Sequence, residues 1–556
     1  MTPDDDKSPI PLSRLRAKLA RPRGYRRVEA LLSEADPAAA VAALSVPELY
    51  ELIKGVGFAD TQELIALASP EQVRGCLDMD IWDRDHLQTA AVAPWLVSLI
   101  ESGYEKLGQV WEGLDSELTA LVLQRHTRIY DLSLEEEVPE NTDNPVFTTP
   151  DTFFGIELTT DDPQLDTLIH RLVEDLYRAD MVLARHTLMS ARTEPPAELE
   201  EMSYRWRSGR MADLGYVDFY EALAVFRPID PASVSADEDT ADRFGDGDAA
   251  LDPGALPTEW AEQVVGRSFL ARALGQLTEK AEAKRAETAL VVLVNKVLSA
   301  MRVSPGDETQ VAEGTAYATA TLALGLETVA RSDVERAGRV LRNVALTRLH
   351  RVGFTTTLRL SGFARAMAPR AVTAGAVDAA VLEALLAAQP LMAGELDDPP
   401  VAAPRPFESL RDVRAAAEHM TRLALRVAVA DSLGVDLVAV AEMPEPRPAL
   451  DDHVRTALVR AMIGGELSPA RLTQSEVAAF LRGAFADGAL TDGAKETAWQ
   501  AMQTWAKDVQ LREGGEYLPA LVTAWLGELE ETFAGVDADD LDPRFVDCVL
   551  LSSEES

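Results

Sequence analysis

A mostly α-helical chain is expected, and three observations predict it. Alanine and leucine dominate an apolar content of 47%, and aromatic residues make up only 6%. Apolar positions also recur at three- and four-residue spacing behind recognisable helix starts. Alanine and unbranched side chains lose little entropy in a helix, whereas strands draw on β-branched and aromatic residues. The expected architecture is an N-terminal superhelix of short stacked helices followed by larger α-helical domains, with at most a small β-hairpin. At 556 residues the chain exceeds one hydrophobic core, which stops growing near roughly 250–300 residues.

In order along the chain, residues 1–35 form a basic arm, in which "LSRLRAKLARPRGYRR" carries seven basic residues and no acid. Its expected place is against the acidic body of the protein. From Asp36 short helices begin at clear signals. Asp36 precedes a proline at the first helical position. Ser45-Val-Pro-Glu48, Asp60-Thr-Gln-Glu63 and Ser69-Pro-Glu-Gln72 fit the capping box or its aspartate variant. Leu49, Leu52, Ile53 and Val56, then Leu64, Ile65 and Leu67, then Val73 and Leu77 follow at helical spacing. Asp115 opens one more helix. Helices this short cannot bury themselves singly and must stack on neighbours.

Asp78, Asp80 and Asp83 stand with Asp85 and His86 around Trp82 and form the first metal candidate, with magnesium the cation to consider. An EF-hand calcium loop counted from Asp78 would need an oxygen ligand where Trp82 stands, and glycine at Asp83. That reading fails. The expected arrangement is a helix ending near Leu77, with Asp83 or Asp85 capping the next and Ile81 and Trp82 plugging the joint.

"ELYELIKGVGFADTQELIALASPEQVRGCLDMDIW" resembles the cytosolic N domain of the MgtE magnesium transporters, and flagellar motor switch proteins use a related superhelix. The likeness spans residues 36–134 and implies a superhelical scaffold with acidic faces. It does not imply transport, because no membrane span and no CBS pair is recognisable. With "GYVDFYEALAVFRPIDP" at 215–231 and "DPRFVDCVLL" at 542–551, the whole chain is similar to an uncharacterised bacterial family catalogued as a domain of unknown function.

Residues 135–162 are proline-rich and acidic, with a β-prone "VFTTPDTFFGIEL" that suggests a linker with a small hairpin. A helical domain follows over 163–230, opened by one long helix at 163–192. Asp166, His170 and Glu174 lie at i, i+4 and i+8 on that helix, a second metal-like group, although helical charge pairing accounts for the same spacing. Residues 231–258, acidic and rich in proline, glycine and serine, read as an interdomain linker. A helical domain over 259–395 contains an arginine island, since residues 331–370 hold nine arginines against Asp333 and Glu335. Arg336, Arg339 and Arg342 share a face there and are candidates for contact with an anion or an acidic partner. Internal pairing with acidic helices is the expectation, with Val340, Leu341, Val344, Leu346 and Leu349 facing a core. A C-terminal helical domain occupies 407–556.

The formal charge of −39, from 53 basic and 92 acidic residues, repels nucleic acid and anionic lipid. Cys76 and Cys548 write no disulfide framework. "ALVVLV" at 289–294 is cut off by Asn295 and Lys296, far short of the ~18–20 apolar residues of a membrane span. The acidic N-terminus is no signal peptide, so a cytoplasmic address is expected.

No Gly-x-Gly-x-x-Gly, Gly-x-x-x-x-Gly-Lys, His-Glu-x-x-His or Gly-x-Ser-x-Gly occurs, and the seven histidines are scattered. No catalytic residue and no cofactor is assigned. The expected function is a cytoplasmic scaffold or adaptor binding another protein. The alternatives are an enzyme with an interdomain cleft and a regulator responsive to divalent cations.

Overall fold

The computed structural model describes residues 24–235 and 268–552, apart from internal stretches at 84, 135–137, 139–141, 215, 304–306, 395–402, 445, 512–513, 540 and 542–545. Most of the basic arm, the acidic linker from 236 on, and part of the proline-rich segment at 397–406 lie outside the described residues. The fold is mostly α. By its internal packing the chain divides into two compact units, 1–353 and 354–556.

The first unit begins with α1 (Tyr25–Leu32), α2 (Pro37–Ala42), α3 (Val46–Val56), α4 (Gln62–Leu67) and α5 (Pro70–Asp80). Caps start them. Asp36 accepts from the Ala39 amide at 3.0 Å, and the Ser45 amide donates to Glu48. Ser69 makes a reciprocal box: its Oγ accepts from the Gln72 amide at 3.2 Å, and its own amide donates to Gln72 Oε1 at 2.9 Å. Ser69→Ala should therefore cost about 0.5–2 kcal/mol in urea unfolding; an unchanged midpoint would refute the cap's role. The expected Asp60 start is corrected. Residues Ala59–Thr61 form a 3₁₀ turn, and α4 begins behind Thr61.

The arrangement expected around Asp78, Asp80 and Asp83 is corrected as well. Helix α5 runs on to Asp80, and a two-residue antiparallel pair, β1 (Trp82–Asp83) and β2 (His86–Leu87), follows it. Asp83 and Asp85 therefore cap nothing. Gln88 precedes α6 (Thr89–Glu101), which is followed by α7 (Tyr104–Gly113) and α8 (Ser116–His126). Ile81 and Trp82 are buried, as the plug requires.

The segment expected to stay helical to 134 leaves α8 directly into β3 (Thr127–Asp131). With β4 (Val146–Thr148) and β5 (Phe154–Leu158) it makes a three-stranded antiparallel sheet in the order β3-β5-β4. The foreseen hairpin, β4–β5, is thus two strands of a larger sheet whose central strand, β5, is buried along its whole length. The long helix expected over 163–192 is two. Helix α9 (Pro163–Ala179) ends at Asp180, which turns extended, and its carboxylate accepts from the amides of Val182 and Leu183 to start α10 (Met181–Thr193).

Helix α11 (Pro196–Asp213) packs on α5 and α8, and the short α12 (Phe219–Ala222) follows. One core runs from Val28 to Tyr216. It encloses an apolar cavity of about 40 Å³ between Trp95, Trp111, Leu99 and Val122, far below the few hundred Å³ of ligand pockets.

After α13 (Phe269–Leu274) come α14 (Lys280–Ala300), α15 (Glu308–Ala330), α16 (Val334–Asn343) and α17 (Leu346–Met367). The "ALVVLV" run lies buried inside α14, and among the described residues no helix is long and apolar enough to cross a membrane. Val340, Leu341, Val344, Leu346 and Leu349 are all buried, as the apolar spacing predicts. The division between the units falls inside α17.

The second unit continues with α18 (Ala376–Leu386), α19 (Leu410–Ser432), α20 (Leu437–Ala441), α21 (Leu450–Met462), α22 (Gln474–Ala484), α23 (Asp492–Asp508) and α24 (Leu518–Phe533). Helix α21 is central, packed by α19, α22, α23 and α24. Between α22 and α23, β6 (Phe485–Ala486) and β7 (Ala489–Leu490) turn on Asp487-Gly488, both at positive φ, as a two-residue hairpin demands. Arg426 ties Asp378 on α18 to Asp451 on α21, and Trp525 Nε1 donates to Asp451.

Candidate functional site

The six acidic and histidine candidates fall into two groups, and neither converges on one point. Asp78 is 1% exposed and faces Arg210, whose Nε and Nη2 donate to its two oxygens at 2.6 and 2.9 Å. The same guanidinium donates to Asp115 at 2.9 and 2.6 Å. Arg207 Nε donates to the Asp78 carbonyl at 2.7 Å, and its guanidinium lies over the Trp82 ring. Burial pushes the Asp78 carboxyl up, against the pull of Arg210.

Asp80 points elsewhere, accepting from Tyr50 Oη, Lys54 Nζ and Trp95 Nε1, each at 2.8 Å. Asp83 is exposed, opposite His86 in the small hairpin. Asp78 and Asp80 thus spend their lone pairs on protein donors, pinning α5 to its neighbours. Among the described residues no three acidic, histidine or cysteine side chains are grouped to hold a metal ion.

Asp166, His170 and Glu174 do lie along one side of α9, but each has its own partner. Thr160 Oγ1 donates to Asp166 Oδ1 at 2.7 Å. The His170 ring stacks on Phe147 of β4 with centroids 4.1 Å apart, and its Nε2 is 3.8 Å from Glu174 Oε1. Arg178, one turn on, is 3.7 Å from Glu174 Oε2.

Sequence reasoning missed what lies beside this strip. Pro150 and Asp151 from the β4–β5 turn, Glu174, Tyr177 and Arg178 from α9, and Met181 from the start of α10 line a cleft of about 420 Å³. Asp151 shapes it. Its carboxylate accepts from Thr149 Oγ1 at 2.7 Å, the Phe153 amide at 3.1 Å and Arg185 Nε at 2.5 Å. Burial alone would push the Asp151 carboxyl up, but these donors together hold it below the usual carboxylate range.

The Arg185 guanidinium also covers the Phe153 ring at 4.9 Å. Burial pushes the Tyr177 hydroxyl up to about 12, so it stays protonated as a donor. At the mouth Met181 is exposed, and Val182, the next residue along α10, is 73% exposed. With Asp151 fully engaged, this cleft offers grip rather than proton transfer: an apolar lip at Met181, the carboxylates of Asp151 and Glu174, and the Arg178 guanidinium. The one hint in the sequence was Asp180, a capping residue that splits an otherwise continuous helical pattern.

The arginine island divides. Arg342 Nε donates to Glu282 of α14 at 3.0 Å, and its Nη2 donates to the Gln276 carbonyl at 2.7 Å. Arg336 and Arg339 make no ion pair with a described residue. Arg348 and Arg351 donate to main-chain carbonyls at Ser233, Arg227 and Pro228. Buried beside them, His350 has its Nδ1 3.3 Å from the Val225 carbonyl, and burial pulls the imidazole down to about 4, so it is neutral.

No curated protein and no solved structure matches the chain. The likeness to the MgtE N domain finds no support. A family model of unknown function does match, over residues 5–552. The chain, across nearly its whole length, belongs to that family, DUF6178.

Proposed function

We propose that this protein is a cytoplasmic helical scaffold or adaptor that holds a segment of another protein in the cleft between α9, α10 and the β4–β5 turn. The observation that carries the reading is the pairing of a rigid, ion-paired cleft wall with an apolar lip left in water. Large side chains such as Val182, three-quarters exposed, are normal singly. Here Val182 adjoins exposed Met181 at the mouth of a cleft within the size range of binding pockets. The polar contacts inside would orient a segment, and the lip would supply apolar contact, as at protein interfaces.

The test is affinity purification from the native host with mass spectrometry, comparing the natural chain with a Met181→Asp, Val182→Asp variant. Both side chains leave the main-chain caps of α10 intact, so circular dichroism should be unchanged. Recovery of the partner should fall on the order of tenfold, the loss of a central contact. Equal recovery by both chains, or no reproducible partner of the natural chain, would remove this reading.

A further inference from the structure

Helix α11 has two faces with different occupations. Leu199, Ser203 and Met211 are buried against the first unit's core, and Arg207 and Arg210 clamp Asp78 from the same side. The opposite face carries Met202, Arg205, Trp206, Gly209, Ala212 and Asp213, all exposed. At about 100° per residue these six fall within roughly 60° of Gly209, so they form one strip. Trp206 leaves 51% of its surface in water, although indole is among the side chains most enriched at interfaces.

Two further features of the strip have no account among the described residues. Gly209 sits in the interior of an exposed helix, where glycine costs roughly 0.5–1 kcal/mol relative to alanine. A Cβ there would meet nothing within 4 Å, so no described neighbour needs the space. Arg205 and Asp213 make no ion pair with any described residue. Asp213 also ends the helix, where an acid opposes the helix dipole.

We infer that this strip is where two copies of the chain meet, α11 packing antiparallel on α11 of a second copy about a two-fold axis through Gly209. An isologous interface must be self-complementary, and this one is. Arg205 stands four residues before Gly209 and Asp213 four after, about 6 Å either side along the axis. The two-fold brings Arg205 level with Asp213 of the second copy, and the reverse pair forms by symmetry. Trp206, three residues before the glycine, comes level with Ala212 of the second copy, the smallest side chain on the strip. Glycine at the axis lets the helices approach closely. Each copy carries −39, so long-range repulsion opposes association. Salt screens charges beyond about 10 Å more than it weakens a close pair, and the dimer should tighten from low to moderate ionic strength. The inference concerns a different surface from the cleft and stands independently of it.

Analytical ultracentrifugation of the full chain across the micromolar range tests it. The natural chain should sediment with twice the chain mass, and Trp206→Ala should weaken association at least about tenfold. Arg205→Asp alone and Asp213→Arg alone each place like charges level with one another and should give monomers. The double variant, Arg205→Asp with Asp213→Arg, restores opposite charges and should restore the dimer. Both positions are exposed, so folding is unaffected, and circular dichroism checks that. A natural chain monomeric throughout, single variants that still dimerise, or a folded double variant that stays monomeric would each overturn the inference.

Discussion

Arg210→Ala should destabilise the first unit by about 3–5 kcal/mol, the cost of removing one partner from a buried ion pair. Arg210 bridges two carboxylates, Asp78 at 1% exposure and the half-buried Asp115. Without it Asp78 remains as a charge in the core with no side-chain donor of its own among the described residues, and the nearby Arg207, bonded to its main-chain carbonyl, offsets that charge in part. The pH dependence has a definite sign. Burial already raises the Asp78 carboxyl in the folded chain, so the folded state holds a proton where the unfolded state has lost it. Stability therefore falls as pH rises from the ordinary carboxylate value to the raised folded one.

Removing Arg210 raises the folded value further and widens that window. The deficit should accordingly be smallest in mild acid, where Asp78 is protonated, and largest at neutral pH. Urea unfolding at the two pH values measures it. The double variant Asp78→Leu, Arg210→Met should lose less than Arg210→Ala, because a packed apolar pair carries no uncompensated charge. A single-variant loss under about 1 kcal/mol, typical of exposed pairs, would show that water reaches this network.

Gly325→Ala and Gly353→Ala should each cost on the order of 3 kcal/mol or more, the upper range for overpacking. These glycines face each other where α15 crosses α17. A Cβ on Gly325 would lie 1.8 Å from the Leu349 carbonyl oxygen, and one on Gly353 would lie 2.0 Å from that of Thr321. The obstruction is main chain in both cases, so no rotamer change relieves it and the helices must separate. Separation would open the packing around buried Leu322, Leu326, Leu349 and Val352. Gly362, also on α17, is the internal control, since a Cβ there meets nothing. Gly362→Ala should be neutral or stabilise by about 0.5–1 kcal/mol. Unfolding midpoints for the three variants decide the matter; if Gly325→Ala matched Gly362→Ala, the two helices could not be in backbone contact.

What the sequence determined by itself was set within a turn or two of each residue. Asp36, Ser45 and Ser69 start helices because each presents an acceptor or amide to a group about three residues away. The burial of Val340, Leu341 and Val344 follows from the helical repeat of α16, and the mostly α class from composition and repeat together. The sequence misjudged elements whose partners are distant. "TRIYD" became strand β3 because Phe154–Leu158 lies beside it, and nothing within residues 127–131 records that edge. Asp60 gave up its cap to a 3₁₀ turn, and Asp83 and Asp85 went to a hairpin instead of a helix start.

Only the tertiary structure decided which charges are structural and which surfaces are open. Asp78 and Arg210 are 132 residues apart, and no spacing rule connects them. The cleft takes its walls from a turn, the end of one helix and the start of another. Gly209 and Gly325 look alike in the sequence as mid-helix glycines. One meets open space and the other a neighbouring backbone, because a residue's surroundings are set by which helices pack against it, and packing is a property of the whole chain.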